Sequence, residues 1–452
     1  MKPAVKNGLD AYPEPVSEKI PWFMFFFLAA GFFLIQHQWT PNVMIEGSFT
    51  PDEFARLISD GDVLRRVVII AMGCAGAFLL IRKRQYLLRP EKLGWAVICY
   101  GAWSFLSILW ADDPDFCFRR LMIFAMFSLT ACGVAGHWSL DTLIRWVLFS
   151  TLMFLVVGIA SELAHGTFAP FSAGYRFGGT LHPNSQGLNC GMLILSGITV
   201  ARFQSRNCIL LLAIAGAAFV FLVMTGSRTA LAAAFIATMI LITYVWSKRF
   251  SFAVLYAAVL GVCGMVVLGF SNTLIHAVLL GRSDSEFGTL TERIPIWMEC
   301  LDLLEHNLLY GVGYGSFWSP RRFLEISRRV HFVVGGAAHS AYIEIMLGSG
   351  IIGLLLFLAV LFGSIGKSWV LFLRDRDERF VFALSILLLF TMDGILESIV
   401  IMSTQFFAIL LTLFCMLGFQ SRRHEVMDDV QTADQREPLY LQPSGNAEND
   451  HG

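Results

Sequence analysis

The sequence predicts an all-α integral membrane protein. Of its 452 residues, 56% are hydrophobic and only 15% charged, and the mean hydropathy is +0.65. A soluble domain would carry about a quarter charged residues. Apolar runs fall near 21–38, 64–81, 93–110, 119–137, 143–164, 185–203, 208–225, 229–246, 251–270, 340–366, 380–396 and 399–419. Each is near the ~20 residues needed to cross a bilayer, which gives about twelve transmembrane helices. Helices satisfy every backbone polar group over such lengths without closing a barrel.

The chain divides accordingly. Residues 1–20 form a cytoplasmic N-terminal segment, 21–270 carry transmembrane helices 1–9, and 271–338 form a large outer loop. Residues 339–420 carry helices 10–12, and 421–452 form a polar, disordered cytoplasmic tail. The division between the last two helices is the least sharp, because Asp393, Gly394, Glu397 and Ser398 interrupt one long run. Residues 1–19 hold Pro3, Pro13, Pro15, Glu14 and Glu18 and do not read as a cleavable signal peptide. The nine cysteines are scattered, mostly through apolar runs, with neither zinc spacing nor a disulfide framework. The net charge of −1 says nothing about partners.

Lys and Arg counts in short loops orient the chain. Arg82, Lys83, Arg84, Arg89 and Lys92, then Arg202, Arg206, Lys248, Arg249, Lys367, Arg374, Arg376 and Arg379 fall inside, together with both termini. The outer side then also holds arginines: Arg65, Arg66, Arg119, Arg120, Arg176, Arg228, Arg282, Arg293, Arg321, Arg322, Arg328 and Arg329. Arg65, Arg66, Arg119 and Arg120 read as snorkelling side chains at span ends.

Arg176, Arg228 and Arg293 are candidates for more. Arg presents a planar fork suited to diphosphate and holds its charge. Arg228 sits in a tight turn between two apolar runs, with little chain to carry it to water. At 100° per residue Arg293 shares an apolar face with Trp297, Cys300 and Leu304. Pro295 puts it near a helix start, where a cation opposes the helix dipole. The alternative is that the regular helix begins after Arg293 and leaves it in a solvated loop. His182, Pro183 and Asn184 read as a helix start. They either organise that start only or act on a ligand, while Gly178 and Gly179 would let backbone approach a ligand closely. His339 opens the run that returns from the long loop and can accept a proton near neutral pH, with Tyr342 one turn along. A lone His is more often structural. Asp112, Asp113 and Asp115, or Asp284 and Glu286, are weak metal candidates, and no metal is expected. Asp393 and Glu397 share a face and point into the bundle. Gly311, Gly313 and Gly315 mark a turn rather than a nucleotide loop.

Four pieces occur in order: Arg176 with His182-Pro183-Asn184; Ser227-Arg228-Thr229; Arg293 with Trp297; and Gly311-Val312-Gly313 leading to His339 and Gly350 to Gly353. This set resembles the O-antigen ligase and polymerase superfamily of bacterial inner-membrane glycosyltransferases, over roughly residues 90–415. Leu109 to Pro114 with Arg119 and Arg120 looks like the exopolysaccharide polymerase branch, and Glu397 resembles an acidic site near the family's C-terminus. The resemblance implies a membrane glycosyltransferase (GT-C-like) bundle with a large periplasmic loop and an undecaprenyl-diphosphate-linked glycan donor. It implies a glycan or lipid A-core acceptor, the lipid bilayer and a chain-length regulator as partners, no nucleic acid, and no cofactor or nucleotide sugar. Arg176, Arg228 and Arg293 would hold the donor diphosphate, and His339 would activate the acceptor hydroxyl. His182, Asn184, Trp297, Tyr342 and Glu397 would line the substrate site, while Tyr175, Tyr314, Phe317 and Trp318 are possible sugar-stacking aromatics. The readings that compete are a polymerase of lipid-linked repeat units, a ligase onto lipid A-core, and a transporter of an anionic lipid. A transporter should show inverted repeats, and no clear internal repeat is present.

Overall fold

The structure is a computed structural model. It describes residues 22–37, 53, 62–82, 88–170, 172, 174–245, 288–329 and 336–421. In chain order the helices are α1 (Trp22–Gln36), α2 (Val63–Arg82), α3 (Lys92–Leu106), α4 (Pro114–His137), α5 (Leu140–His165), α6 (Pro183–Phe203), α7 (Cys208–Met224) and α8 (Arg228–Val245). They continue with α9 (Gly288–Leu304), α10 (Pro320–Arg329), α11 (Ala341–Asp375), α12 (Arg379–Leu396), α13 (Ile399–Met402) and α14 (Thr404–Gly418). A short antiparallel pair, β1 (Leu88–Pro90) with β2 (Phe419–Ser421), ties two loops together with Leu88 opposite Ser421.

Seven helices among the described residues are long and apolar enough to cross a membrane: α2, α3 with its 3-10 extension to Trp110, α4, α5, α8, α11 and α12. Helices α1, α7 and α14 are apolar but shorter. The expected run at 251–270, with Lys248, Arg249, Arg282, Asp284 and Glu286, lies outside the described residues, as do the two terminal segments. The interruption at Glu397 and Ser398 does end a helix: α12 stops at Leu396 and α13 begins at Ile399.

Helix α6 is the axis of the bundle and is buried along almost its whole length. Small residues let its neighbours approach. A Cβ on Gly187 would stand 3.0 Å from the Ala230 Cβ, and one on Gly191 would stand 3.2 Å from the Ala234 Cβ. One of its buried polar side chains ties it to a neighbour: Asn189 donates to the Thr151 carbonyl at 3.0 Å.

Helix α11 is broken at Gly350, where φ is 69° and ψ −173°. The backbone groups freed there are taken by the connection after α9. Ile351 N donates to Leu308 O at 2.9 Å, and Val312 N donates to Leu347 O at 3.1 Å. The long connection is therefore not structureless. Helices α9 and α10 build a small core of Ile296, Cys300, Leu304, Val312, Phe317, Trp318 and Ile326 against Ala338 and Leu347. Antiparallel packing gathers the starts of α6, α8 and α11 and the end of α12 at one end of the bundle. The β pair and the Arg202–Glu378 ion pair (3.3 Å) mark the other.

Candidate functional site

The loop that carries Arg176 is fixed from beneath by a carboxylate. Glu162, in the last turn of α5, is 1% exposed. One of its oxygens accepts from Gly178 N at 3.1 Å and Gly179 N at 2.7 Å, and the other accepts the Tyr175 hydroxyl. Gly179 has a φ of 60°, and a Cβ there would meet the Gly158 backbone at 2.6 Å. Gly179 thus permits close approach to α5, while a Cβ on Gly178 would meet Leu181 O at 2.7 Å. The expectation that they receive a ligand is corrected: their N–H groups are already committed to Glu162.

Held this way, Arg176 reaches the α7–α8 turn and the start of α6. Its Nε donates to Thr225 O at 2.9 Å and its Nη2 to Asn184 Oδ1 at 2.5 Å. His182 caps α6, its Nδ1 accepting from Asn184 N at 3.2 Å, with Pro183 in the first turn. Burial and the nearby Arg176 cation lower the His182 pKa to about 4. Asn184 then turns its amide the other way, and Nδ2 donates to Glu397 Oε1 at 2.8 Å.

Glu397 is the hub. It is 3% exposed and stands in an extended residue after α12. Arg293 Nη2 lies 2.6 Å from its Oε1, and Arg293 Nη1 also donates to the neighbouring Leu396 carbonyl. His339 Nδ1 lies 3.7 Å from Oε2. Burial alone would raise the Glu397 pKa, but the nearby His339 ring and the Arg293 cation hold the carboxyl below its usual range. Arg293 belongs to a helix, not to a solvated loop, and α9 begins at Gly288, so Pro295 falls two turns in rather than in the first. Arg293, His339 and Glu397 meet because the early turns of α9, the start of α11 and the end of α12 lie together here.

The backbone of His339 is left-handed, with φ at 50°. That region is uncommon for a non-glycine residue and persists only where the surroundings impose it. They do so from both sides. Trp297 Nε1 donates to Ala338 O at 2.6 Å, Ala341 N donates to Glu397 O at 3.1 Å, and Ala338 N donates to the Glu344 carboxylate. Glu344 is itself held by Trp318 Nε1 at 3.0 and 2.9 Å. Glu162 and Glu344 escaped the sequence reading. The available signal was a lone carboxylate at the end of an apolar run, which is too common to single out.

Arg228 opens α8, two residues after Gly226, against which the Arg176 side chain packs. Among the described residues no hydrogen bond or ion pair engages the Arg228 side chain, so its charge stays available in a half-buried position. Asp393 is 1% exposed and lies in the field of Glu397 and Arg293.

Other expected residues are placed differently. Tyr342 gives its hydroxyl to Thr391 O at 2.8 Å on α12. Phe317 and Trp318 are 1% and 5% exposed, so neither offers a face to a sugar. Tyr314 packs on Phe124 with ring centroids 5.2 Å apart, and Tyr175 is held by Glu162. Asp113 caps α4 by accepting from Phe116 N at 3.0 Å, and Asp112 pairs with Arg322. No cluster of three metal-binding side chains occurs among the described residues.

Residues 192–358 match the O-antigen ligase family. The matched stretch runs from within α6 to the middle of α11 and contains Arg228, Arg293, Trp297 and His339. It supports the superfamily that the ordered motifs resemble and a polymerase- or ligase-type role in glycan processing. Arg176 and Glu397 lie outside the matched stretch but bond to residues within it, and Asn184, also outside, links the two. No curated protein matches the chain.

Proposed function

We propose that this protein is a polymerising membrane glycosyltransferase. It joins undecaprenyl-diphosphate-linked oligosaccharide repeat units into exopolysaccharide or O-antigen at the periplasmic face of a bacterial inner membrane. The observation that carries this is the contact chain Arg176–Asn184–Glu397, which Arg293 and His339 also join. It brings cations suited to diphosphate beside a titratable ring at one end of an apolar bundle.

With Nδ1 facing Glu397, the Nε2 of His339 is left to take the proton of an acceptor hydroxyl. The hydroxyl oxygen then attacks the anomeric carbon of the donor. The bond from that carbon to the diphosphate oxygen breaks, and its electron pair leaves on the diphosphate. Arg228 and Arg176 stabilise the charge that builds there. Ionised Glu397 stabilises the imidazolium and, with Arg293, sets the ring's orientation. Direct displacement inverts the anomeric centre. No metal has a step in this scheme. Trp297 positions the His339 backbone, and His182 and Asn184 organise the floor of the site.

The proposal includes a GT-C-like bundle of twelve crossings, cytoplasmic termini and association with a chain-length regulator. The preference for polymerase rests on the segment from Leu109 to Arg120. The second reading is a ligase onto lipid A-core, and the family description, O-antigen ligase, is compatible with both. Purified protein incubated with lipid-linked repeat units alone distinguishes them. A ladder of products without metal or nucleotide supports polymerisation. Transfer only when lipid A-core is added supports the ligase. Full turnover by His339→Asn would overturn the base assignment.

A further inference from the structure

Arg120 reads from the sequence as a snorkelling side chain at a span end; in the structure it stands near the start of α4, with its stem against the turn that carries Gly315. At 100° per residue it stands one turn after Phe116 and one turn before Phe124, on the face that also holds Cys117 and Leu121. All four are buried, at 3%, 5%, 0% and 1% exposure respectively. A lipid-facing cation would share the side of Phe118 and Met122, which are 54% and 41% exposed. Arg120 points into the bundle, and yet its side chain is exposed.

The groups packed against Arg120 lead to the site. The Arg120 guanidinium lies 5.0 Å from the Phe116 ring centroid. Its stem packs on Gly315, where φ is 62° and a Cβ would stand 2.9 Å from Arg120 Cγ. Three residues on, Trp318 donates to Glu344, which receives Ala338 N immediately before His339. His339 thus stands between two chains of contacts. Through Glu397 and Asn184 it connects to Arg176. Through Ala338, Glu344 and Trp318 it connects to the turn that seats Arg120.

The cations differ in how far they are already engaged. Arg293 is ion-paired with Glu397 and Arg322 with Asp112. Among the described residues no carboxylate lies within ion-pair distance of Arg120; Glu344 attracts it from farther off, with its oxygens held by Trp318 and Ala338. An inward cation in a membrane protein calls for an anion, and the Arg fork suits phosphate.

We propose that Arg120 binds a phosphate group on the second, acceptor-side substrate, across His339 from the donor cations. The inference rests on the glycosyltransferase reading and adds to it a second anion site. It follows that both substrates carry phosphate at the site, as two lipid-diphosphate-linked glycans do.

The test uses the full-length protein in neutral phosphatidylcholine nanodiscs, titrated with farnesyl diphosphate and separately with inorganic pyrophosphate. Wild type is expected to bind two equivalents of farnesyl diphosphate. Arg120→Gln should weaken one of them about tenfold, the loss of one charge-assisted hydrogen bond. Arg228→Gln should weaken the other, and Arg120→Lys should retain most of the affinity. The same Arg120 dependence with pyrophosphate means that the phosphates alone are read; dependence with farnesyl diphosphate only means that a lipid-borne headgroup is read. Wild type binding a single equivalent, or Arg120→Gln matching wild type while Arg228→Gln weakens, overturns the proposal and leaves the glycosyltransferase reading standing. No binding of either probe by wild type overturns both. Elution profile and melting temperature show whether each variant is folded.

Discussion

Asn184 and Glu397 stand 213 positions apart in the chain and meet at 2.8 Å, the amide nitrogen donating to the carboxylate. That bond joins the loop carrying Arg176 to the oxygens that hold Arg293 and face His339. Removing the charge while keeping the shape isolates its role. Glu397→Gln is expected to lower kcat on the order of 10²-fold, the scale of a general base that loses its orienting partner, with KM changed far less. Steady-state kinetics on lipid-linked repeat units measure the split; an unchanged kcat would show that Glu397 has no part in turnover.

His339 combines a chemical role with an uncommon backbone. Both His339→Ala and His339→Asn should lose turnover. Asn tolerates the left-handed region better than Ala. Melting temperatures should therefore rank wild type and His339→Asn together, with His339→Ala lower by about 1 kcal/mol. Equal stability of the two variants would mean that the φ of 50° is not imposed on this residue.

Glu162 touches no proposed substrate group, yet it seats the loop beneath Arg176. Glu162→Ala leaves Gly178 N and Gly179 N without their acceptor in a buried place. A loss of about 2–4 kcal/mol in stability is expected from two unsatisfied donors. Binding of farnesyl diphosphate should weaken as the Arg176 loop loosens. Wild-type melting behaviour in this variant would remove Glu162 as the loop's anchor.

His182 gives the fold a pH dependence of known sign. Its pKa is about 4 in the folded protein against an ordinary 6.5. Between those values the unfolded chain binds a proton that the folded protein refuses, so stability falls as pH drops from 6.5 toward 4 and this loss ends below 4. The full effect is at most about 3 kcal/mol. Melting curves of wild type and His182→Gln should diverge across that window and run parallel above pH 7. Parallel curves throughout would contradict the burial of a neutral imidazole.

The break in α11 depends on a turn that cannot carry side chains. Gly311 has a φ of 71°, and a Cβ there would come within 2.6 Å of the Gly348 backbone. Gly311→Ala is expected to destabilise the protein by more than 1 kcal/mol, because both the dihedral and the space are wrong. A neutral effect on the melting temperature would show that segment 308–312 is free to shift away from α11.

The amino-acid order alone carries the helical bundle. Runs near twenty apolar residues have one way to satisfy their backbone in a membrane, so each expected run within the described residues is helical. The polar breaks at Arg176, Arg228, Arg293, His339 and Glu397 were visible for the same reason, since charge is conspicuous against an apolar background. Their roles were less visible. Tyr342 shares a local face with the start of α11, but helix spacing cannot say that its hydroxyl goes to Thr391 on another helix. Arg120 looked like Arg119 because sequence neighbours share depth, whereas only the folded chain lays the Arg120 stem on Gly315. Glu162 and Glu344 acquired their functions only when the loop after α5 and the segment before α11 folded back to lay N–H groups on them. Periodicity is a local property and set the elements. The pairing of Asn184 with Glu397, and of Trp318 with Glu344, is non-local: it exists only after α6, α11 and α12 have packed, and it is this packing that turns scattered polar residues into one site.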